Sequence, residues 1–183
     1  MKFVGIDLAG SPKNDTGFCI LETDGEARTV STYLLGTDPE IIEKTVKAAP
    51  LLVAIDAPLT YSGNNRRCDE ELRGYGALPV TLRGMEVLAR RGSSLAVKLA
   101  ESNIKAIEVY ATASAKILGL YDKDERAMQK KLLDAKVAGA TERRLLKKDE
   151  LDAVFSALTA YLHYNGASQK VGDDAGKIII PKV

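Results

Sequence analysis

A short apolar run that ends on a carboxylate constrains this chain more than any other feature. Phe3-Val4-Gly5-Ile6 leads into Asp7, and Gly10-Ser11-Pro12 follows within a few residues. Val and Ile bounded by glycine read as a strand covered on both faces, and the Gly-Ser-Pro cluster is turn chemistry that stops it. An acid at that point emerges outside the carboxyl end of a strand, where open α/β sheets hold their ligands. Two further runs repeat the arrangement, since residues 51–55 lead into Asp56 and residues 104–107 lead into Glu108. Three acids ending three strands predict a cluster at one edge of a sheet.

The segments between these strands have readable chemistry. Residues 16–21 and 27–35, separated by Thr23-Asp24-Gly25-Glu26, predict an antiparallel meander with the first strand. Asp38 as N-cap and Pro39 at the first helical position open a helix that carries Ile41, Ile42, Thr45, Val46 and Ala49 at helical spacing, and Pro50 ends it. A single helix leading from an edge strand back to the centre passes over one sheet face, which would set Asp56 beside Asp7. A loop with Pro58, Gly63 and Asn64 then precedes a helix starting near Asn65, broken by Gly74, Gly76 and Pro79. The pattern next predicts a helix over 83–101, a fifth strand over 104–109, helices over 112–118 and 124–136, and a linker or helical cap over 142–148. The last helix, 149–164, is the clearest, because Leu151, Val154, Phe155, Leu158, Tyr161 and Leu162 form one stripe at the 3.6-residue period. Residues 178–180 read as a terminal edge strand.

Asp149 and Asp152 are three apart and share a face of that helix, with Asp152 at the rim of the stripe that docks on the sheet. Ala153, Ser156 and Ala157 keep the flank small. Four or five acids brought together repel unless one takes up a proton or a cation joins them, and a divalent metal is the natural partner. Cys19 and Cys68 have no CxxC spacing, and His163 is the single histidine, so the donors are carboxylate oxygens that suit magnesium or manganese rather than zinc. Each residue also has a plainer reading. An aspartate at a strand end is commonly a turn former, Asp149 could cap its helix, and Arg66, Arg67 and Arg73 could pair with Asp69, Glu70 and Glu71 on a solvated face. Cys68 is expected to pack as a small apolar residue and His163 to lie at the surface.

The whole-chain balance leaves partners to local features. Lys and Arg number 26 against 25 Asp and Glu, a net charge of +1 over 183 residues. That total indicates neither a nucleic-acid binder nor an enzyme for acidic substrates. Between Lys123 and Lys148, however, nine basic residues face four acids. This stretch runs directly into Asp149 and Asp152, which makes Lys130, Lys131, Arg143, Arg144, Lys147 and Lys148 candidates for neutralising phosphates beside the acids. The alternative is a solvated helical arm or a contact in a homodimer. No basic segment followed by an apolar stretch of signal or membrane-spanning length is present, so a cytoplasmic protein is expected. Residues 1–183 show no repeat or composition shift and are expected to form a single domain.

Taken together, Asp7 on a first strand, Asp56 on a fourth and Asp149-x-x-Asp152 on a late helix resemble the ribonuclease H-like superfamily, including its Holliday-junction resolvase branch. Gly5-Ile6-Asp7-Leu8-Ala9-Gly10, Ile55-Asp56-Ala57-Pro58-Leu59, Arg67-Cys68-Asp69-Glu70-Glu71-Leu72-Arg73, Glu108-Val109-Tyr110 and Asp149-x-x-Asp152-Ala153 are similar to motifs of DUF429, a family of predicted RNase H-like nucleases. The resemblance covers nearly the whole chain. It departs at Ala111, where the family usually has proline after Glu-Val-Tyr.

The resemblance implies an α/β, ribonuclease H-like fold: a five-stranded mixed sheet of order 3-2-1-4-5 with helices on both faces. It implies hydrolysis of nucleic-acid phosphodiester bonds with two Mg²⁺ or Mn²⁺ ions, Asp7 bridging them and Asp56 and Asp152 each holding one side. Asp149 is then a support or an alternative ligand, and Glu108 positions water or Arg67, which is also a candidate nucleic-acid contact. Two other functions share this framework: a nucleotide-binding phosphotransfer protein of the actin and sugar-kinase type, and a non-catalytic interaction module. The first normally needs two copies of the domain, and this chain has room for one.

Overall fold

Alternation along the first strand decides which side of the sheet each residue serves. In the computed structural model of the chain, which describes residues 1–182, β1 (Lys2–Asp7), β2 (Thr16–Asp24) and β3 (Ala27–Leu35) form the expected antiparallel meander. Helix α1 (Asp38–Ala48) crosses to β4 (Leu52–Asp56), which lies parallel to β1, and β5 (Ala106–Val109) lies parallel to β4. The central order is therefore 3-2-1-4-5.

The sheet continues past both expected edges. A short strand, β6 (Val137–Gly139), pairs parallel to β3, and a hairpin of β7 (Ser168–Asp173) and β8 (Gly176–Pro181) adds beyond β5. The count is eight strands, in the order β6-β3-β2-β1-β4-β5-β8-β7, where five were expected. Residues 178–180 belong to β8, which is internal, and β7 is the edge. The hidden strands carry no strand signal of their own: β6 has three residues, and Ser168-Gln169-Lys170-Val171-Gly172-Asp173 is mostly polar because an edge strand has an unpaired side.

Helices α2 (Arg67–Glu71), α3 (Arg83–Glu101), α4 (Ala111–Ile117), α5 (Glu125–Asp134), α6 (Ala140–Arg143) and α7 (Lys148–Tyr164) complete the chain. Val4, Ile6, Val53 and Ile55 pack with Ile41 of α1 and with Leu95 and Leu99 of α3 on one face. Phe3, Leu52, Ala54 and Val109 pack on the other with Leu151, Val154, Phe155 and Leu158 of α7, and with Ala115, Met128 and Leu132. Because α7 lies between the sheet and the helices outside it, Glu150 to Ala160 are buried all round and the stripe read from sequence is only its inner face. Among the described residues no helix is long and apolar enough to cross a membrane.

Two local expectations shift. The N-cap of α1 is Thr37, one residue earlier than Asp38: Glu40 Oε2 accepts from Thr37 N at 2.9 Å while Thr37 Oγ1 accepts from Glu40 N, a reciprocal box that Asp38 cannot make. Asp149 does not cap α7 either, since Glu150 Oε2 accepts from Lys147 N at 3.1 Å and the helix begins at Lys148.

Candidate metal centre

The acids are brought together by parity, register and two glycines. Asp7 and Asp56 face each other at the last rung of the β1–β4 ladder. Successive side chains alternate faces along a strand, so Asp7 lies on the face of Phe3 and Gly5, and Asp56 on the face of Leu52 and Ala54. Both look toward α7. That helix crosses the sheet at backbone contact distance, because a Cβ on Gly5 would stand 2.0 Å from the Ala153 carbonyl oxygen and one on Gly17 would stand 1.9 Å from that of Asp149. Close approach over Gly5 and Gly17 sets Asp149 and Asp152, one turn into α7, beside the strand ends.

The electrostatics follow from this crowding. Burial pushes the Asp7 carboxyl well above the usual carboxylate range, and the charges of Asp56, Asp152 and Asp149 push it further, with Lys148 opposing them. Burial likewise raises Asp56 to about 7, Asp152 adding to the shift, while an N–H bond from Ala111 and the charge of Lys148 pull it back. Asp152, 9% exposed, is raised by burial and held down by Lys148, whose ammonium is bonded to its Oδ2. Ala111 N donates to Asp56 Oδ2 at 3.1 Å, a bond that proline at this position could not make. Three partly shielded carboxylates opposed by one ammonium are a donor set that a hard divalent cation fits, and all three offer oxygen.

Glu108 belongs elsewhere. It pairs with Ile55 rather than Asp56, one rung short of the acids and on the opposite face of the sheet. There it accepts from Arg66 Nη1 at 2.9 Å, from Arg66 Nη2 at 2.7 Å and from Leu59 N at 2.8 Å. Burial raises this carboxyl and Arg66 offsets part of the rise. The same guanidinium donates to both oxygens of Asp69, at 3.0 and 2.7 Å, and is 2% exposed. Glu108 therefore holds Arg66, where Arg67 was expected; Arg67 is exposed and pairs with Glu71 at 2.6 Å. Among the described residues, the candidate ligand atoms that lie within 4.8 Å of one another are those of Cys68, Asp69 and Glu108 rather than those of Asp7, Asp56 and Asp152, but the Arg66 guanidinium already compensates the acids of that group, so a metal ion there is redundant. Cys68 is buried as expected, and burial pushes its thiol up to about 12.

The basic stretch is dispersed over several tasks. Lys148 meets Asp152, Lys147 pairs with Asp15 at 3.2 Å on the loop after β1, and Arg144 is bonded to the buried Glu150. Lys131 donates to the Tyr121 carbonyl at 2.7 Å and pairs with Asp122. Lys130 and Arg143 are exposed. His163 is half-buried rather than at the surface, and its Nδ1 lies 2.7 Å from Ser168 Oγ, at the far end of α7 from Asp152. Arg66 was within reach of sequence reasoning through its three-residue spacing from Asp69, and Lys148 through its four-residue spacing from Asp152; the Ala111 N–H had no signal.

Two depressions meet at Asp7. A cavity of about 200 Å³ is lined by Leu8, Pro58, Leu78, Met85, Leu88 and Tyr110, together with Asp7 and Asp56 and the ion-paired Arg66, Asp69 and Glu108. A more open, polar one of about 590 Å³ carries Asp7, Gly10, Lys13, Asp15 and Asp149.

A mixed sheet ordered 3-2-1-4-5 at its centre, helices on both faces and acids at the ends of the first and fourth strands define the ribonuclease H-like class of α/β protein. RuvC of Thermus thermophilus has a similar structure, with a TM-score of 0.53 over 91% of this chain and 97% of that one at 15% identity, a likeness of fold. Residues 5–176 match the family described as Protein of unknown function (DUF429), and the chain belongs to that family. Comparison with curated proteins finds no match.

Proposed function

We propose that this chain is a metal-dependent nuclease that hydrolyses phosphodiester bonds of nucleic acid, with residues 1–183 acting as one domain. The observation that supports the reading is the in-register pairing of Asp7 and Asp56 under α7, with Asp152 near enough for its charge to raise both carboxyls, which burial already makes reluctant to ionise. Asp7 would be shared between two Mg²⁺ or Mn²⁺ ions, with Asp56 and Asp152 each holding one. Such ions, when bound, polarise a phosphoryl oxygen and lower the pKa of water.

The chain's own residues do the positioning. Ala111 N–H fixes one oxygen of Asp56 and leaves the other to serve as a ligand. Lys148 neutralises Asp152; were Asp152 to hold a metal ion, the ammonium would be available to a phosphate oxygen at the same spot. Lys13, in the open depression, and Lys147, whose exposed pairing with Asp15 is weakly held, lie on the approach. Glu108 and Arg66 brace the loop after β4 from the other face, through the Leu59 amide and the Thr60 carbonyl.

Calorimetry with Mn²⁺ tests the reading directly. Wild-type chain is expected to bind the ion, Asp7→Asn to lose binding while keeping its circular dichroism, and oligonucleotide hydrolysis to appear with Mg²⁺ or Mn²⁺, fall with Ca²⁺ and vanish in EDTA. Unchanged Mn²⁺ binding by Asp7→Asn overturns the assignment.

A further inference from the structure

The apolar cavity bordering Asp7 and Asp56 has no part in holding metal or neutralising phosphate. Its walls are Leu8, Pro58, Leu78, Met85 and Leu88, with the ring of Tyr110 beside them. Carboxylates gain nothing from such neighbours, which raise their pKa by desolvation. One of the walls, Leu78, is itself 53% exposed. A surface of this kind beside a polar site commonly receives the apolar part of a ligand whose charged part sits on the polar side.

Resting on the nuclease reading above, we propose that this cavity receives one unpaired nucleobase of the substrate, so that the enzyme acts on single-stranded or extrahelical nucleotides. Size supports this occupant. At about 200 Å³ the cavity lies below the roughly 300–1,000 Å³ of sites for drug-sized ligands, which suits one ring system and excludes a base pair. Position supports it as well, because Asp7 and Asp56 themselves line the cavity, so a phosphate held at these acids leaves the attached nucleoside about one sugar from it. The lining supplies a face for the base plane in Tyr110 and the aliphatic walls, while Arg66, Asp69 and Glu108, also among the lining residues, are already bonded to one another. A base paired and stacked inside a duplex cannot enter a recess of this kind unless it is flipped out.

The test uses the full chain with Mn²⁺ and three substrates of the same sequence: a single strand, its fully paired duplex, and the single strand carrying an abasic nucleotide at the cleaved position. The single strand is expected to be cut with a kcat/KM at least about tenfold above the other two, the size of effect that one stacked base produces. Ala77→Phe, which fills the cavity from a half-buried wall position, is expected to reproduce the loss through KM with Mn²⁺ affinity unchanged. Equal cleavage of all three substrates by the wild-type chain overturns the cavity assignment and leaves the nuclease reading standing, whether or not Ala77→Phe folds. A chain that binds Mn²⁺ yet cuts no polynucleotide overturns the nuclease reading itself, and the cavity assignment with it.

Discussion

Asp7 and Asp56 share the last rung of the parallel β1–β4 ladder on the face that α7 covers, while the ammonium that opposes their charge, Lys148, is bonded to Asp152. Two neighbouring carboxyls therefore stand where burial and mutual repulsion both resist their ionisation.

This has a sign that can be measured. The folded chain binds the Asp7 proton more tightly than the unfolded chain does, so the contribution of Asp7 to metal-free stability is full below the ordinary aspartate value of about 3.9 and is lost as pH rises toward the raised one. Asp7→Asn removes that loss. In EDTA at about pH 8 the variant is expected to melt above wild type, by about 2–4 °C for each kcal/mol recovered, with the difference closing toward about pH 4. Adding Mn²⁺ should reverse the order, since only wild type gains from binding. A variant that melts lower than wild type in EDTA at the alkaline end would show that the repulsion is absent.

Gly17 sets the height of α7 above the sheet. A Cβ there meets the Asp149 carbonyl oxygen at 1.9 Å, and the neighbour is backbone that cannot swing aside. Gly17→Ala is expected to cost about 1–3 kcal/mol or more, and to weaken Mn²⁺ binding by lifting Asp149 and Asp152 away from Asp7. Gly84→Ala, where nothing lies within 4 Å, serves as the control and should leave both quantities nearly unchanged. Full Mn²⁺ affinity in Gly17→Ala would mean that helix height does not govern the site.

Glu150 ties the same helix to the β3 side of the sheet. Burial alone would raise its carboxyl, but bonds from Arg144, Lys147 N and Thr32 Oγ1 prevail and hold it at about 2. Its stabilisation is therefore present above the ordinary glutamate value of about 4.3 and is lost as pH falls through the depressed one. Glu150→Gln should cost about 1–3 kcal/mol near neutrality, a figure kept modest because the Arg144 side chain is 49% exposed. Urea melts at several pH values are expected to show the gap between variant and wild type narrowing below about pH 4.5; a gap that stays constant into acid would assign the effect to packing instead of charge.

The dispersal of the basic residues decides which of them can report on nucleic acid. Reversing Arg144 would set a second acid against buried Glu150 and confound binding with unfolding. Lys130 and Arg143 are exposed, and among the described residues neither forms an ion pair. Lys130→Glu with Arg143→Glu is expected to leave melting unchanged and, if both touch phosphates, to flatten the slope of log affinity on log salt by about 0.7–0.9 for each phosphate no longer neutralised. An unchanged slope would confine the nucleic-acid path to Lys13, Lys147 and Lys148 around the acids.

Much of this fold was legible along the chain because the signals were local. The Val and Ile runs into Asp7 and Asp56, the meander turn at Asp24-Gly25, and the stripe of α7 each rest on residues within one element, and each element formed where those residues stand. The strands without such signals, β6 and β7, were invisible: one is too short to show a period and the other takes its partner from β8 rather than from its own apolar content.

The set of acids was likewise written in the sequence, but their grouping was not. Asp7 and Asp56 end their strands while Glu108 stands one residue short of the end of β5, and only the register of β4 against β5 shows that Glu108 sits beside Ile55 on the opposite face from Asp56, bound to Arg66 instead of its neighbour Arg67. A carboxylate's place on a strand is a local property, fixed by where the apolar run stops. Its company depends on pairing register and on how near a distant helix can approach, and those are set by long-range backbone packing, such as α7 over Gly5 and Gly17, that no single stretch of the chain records.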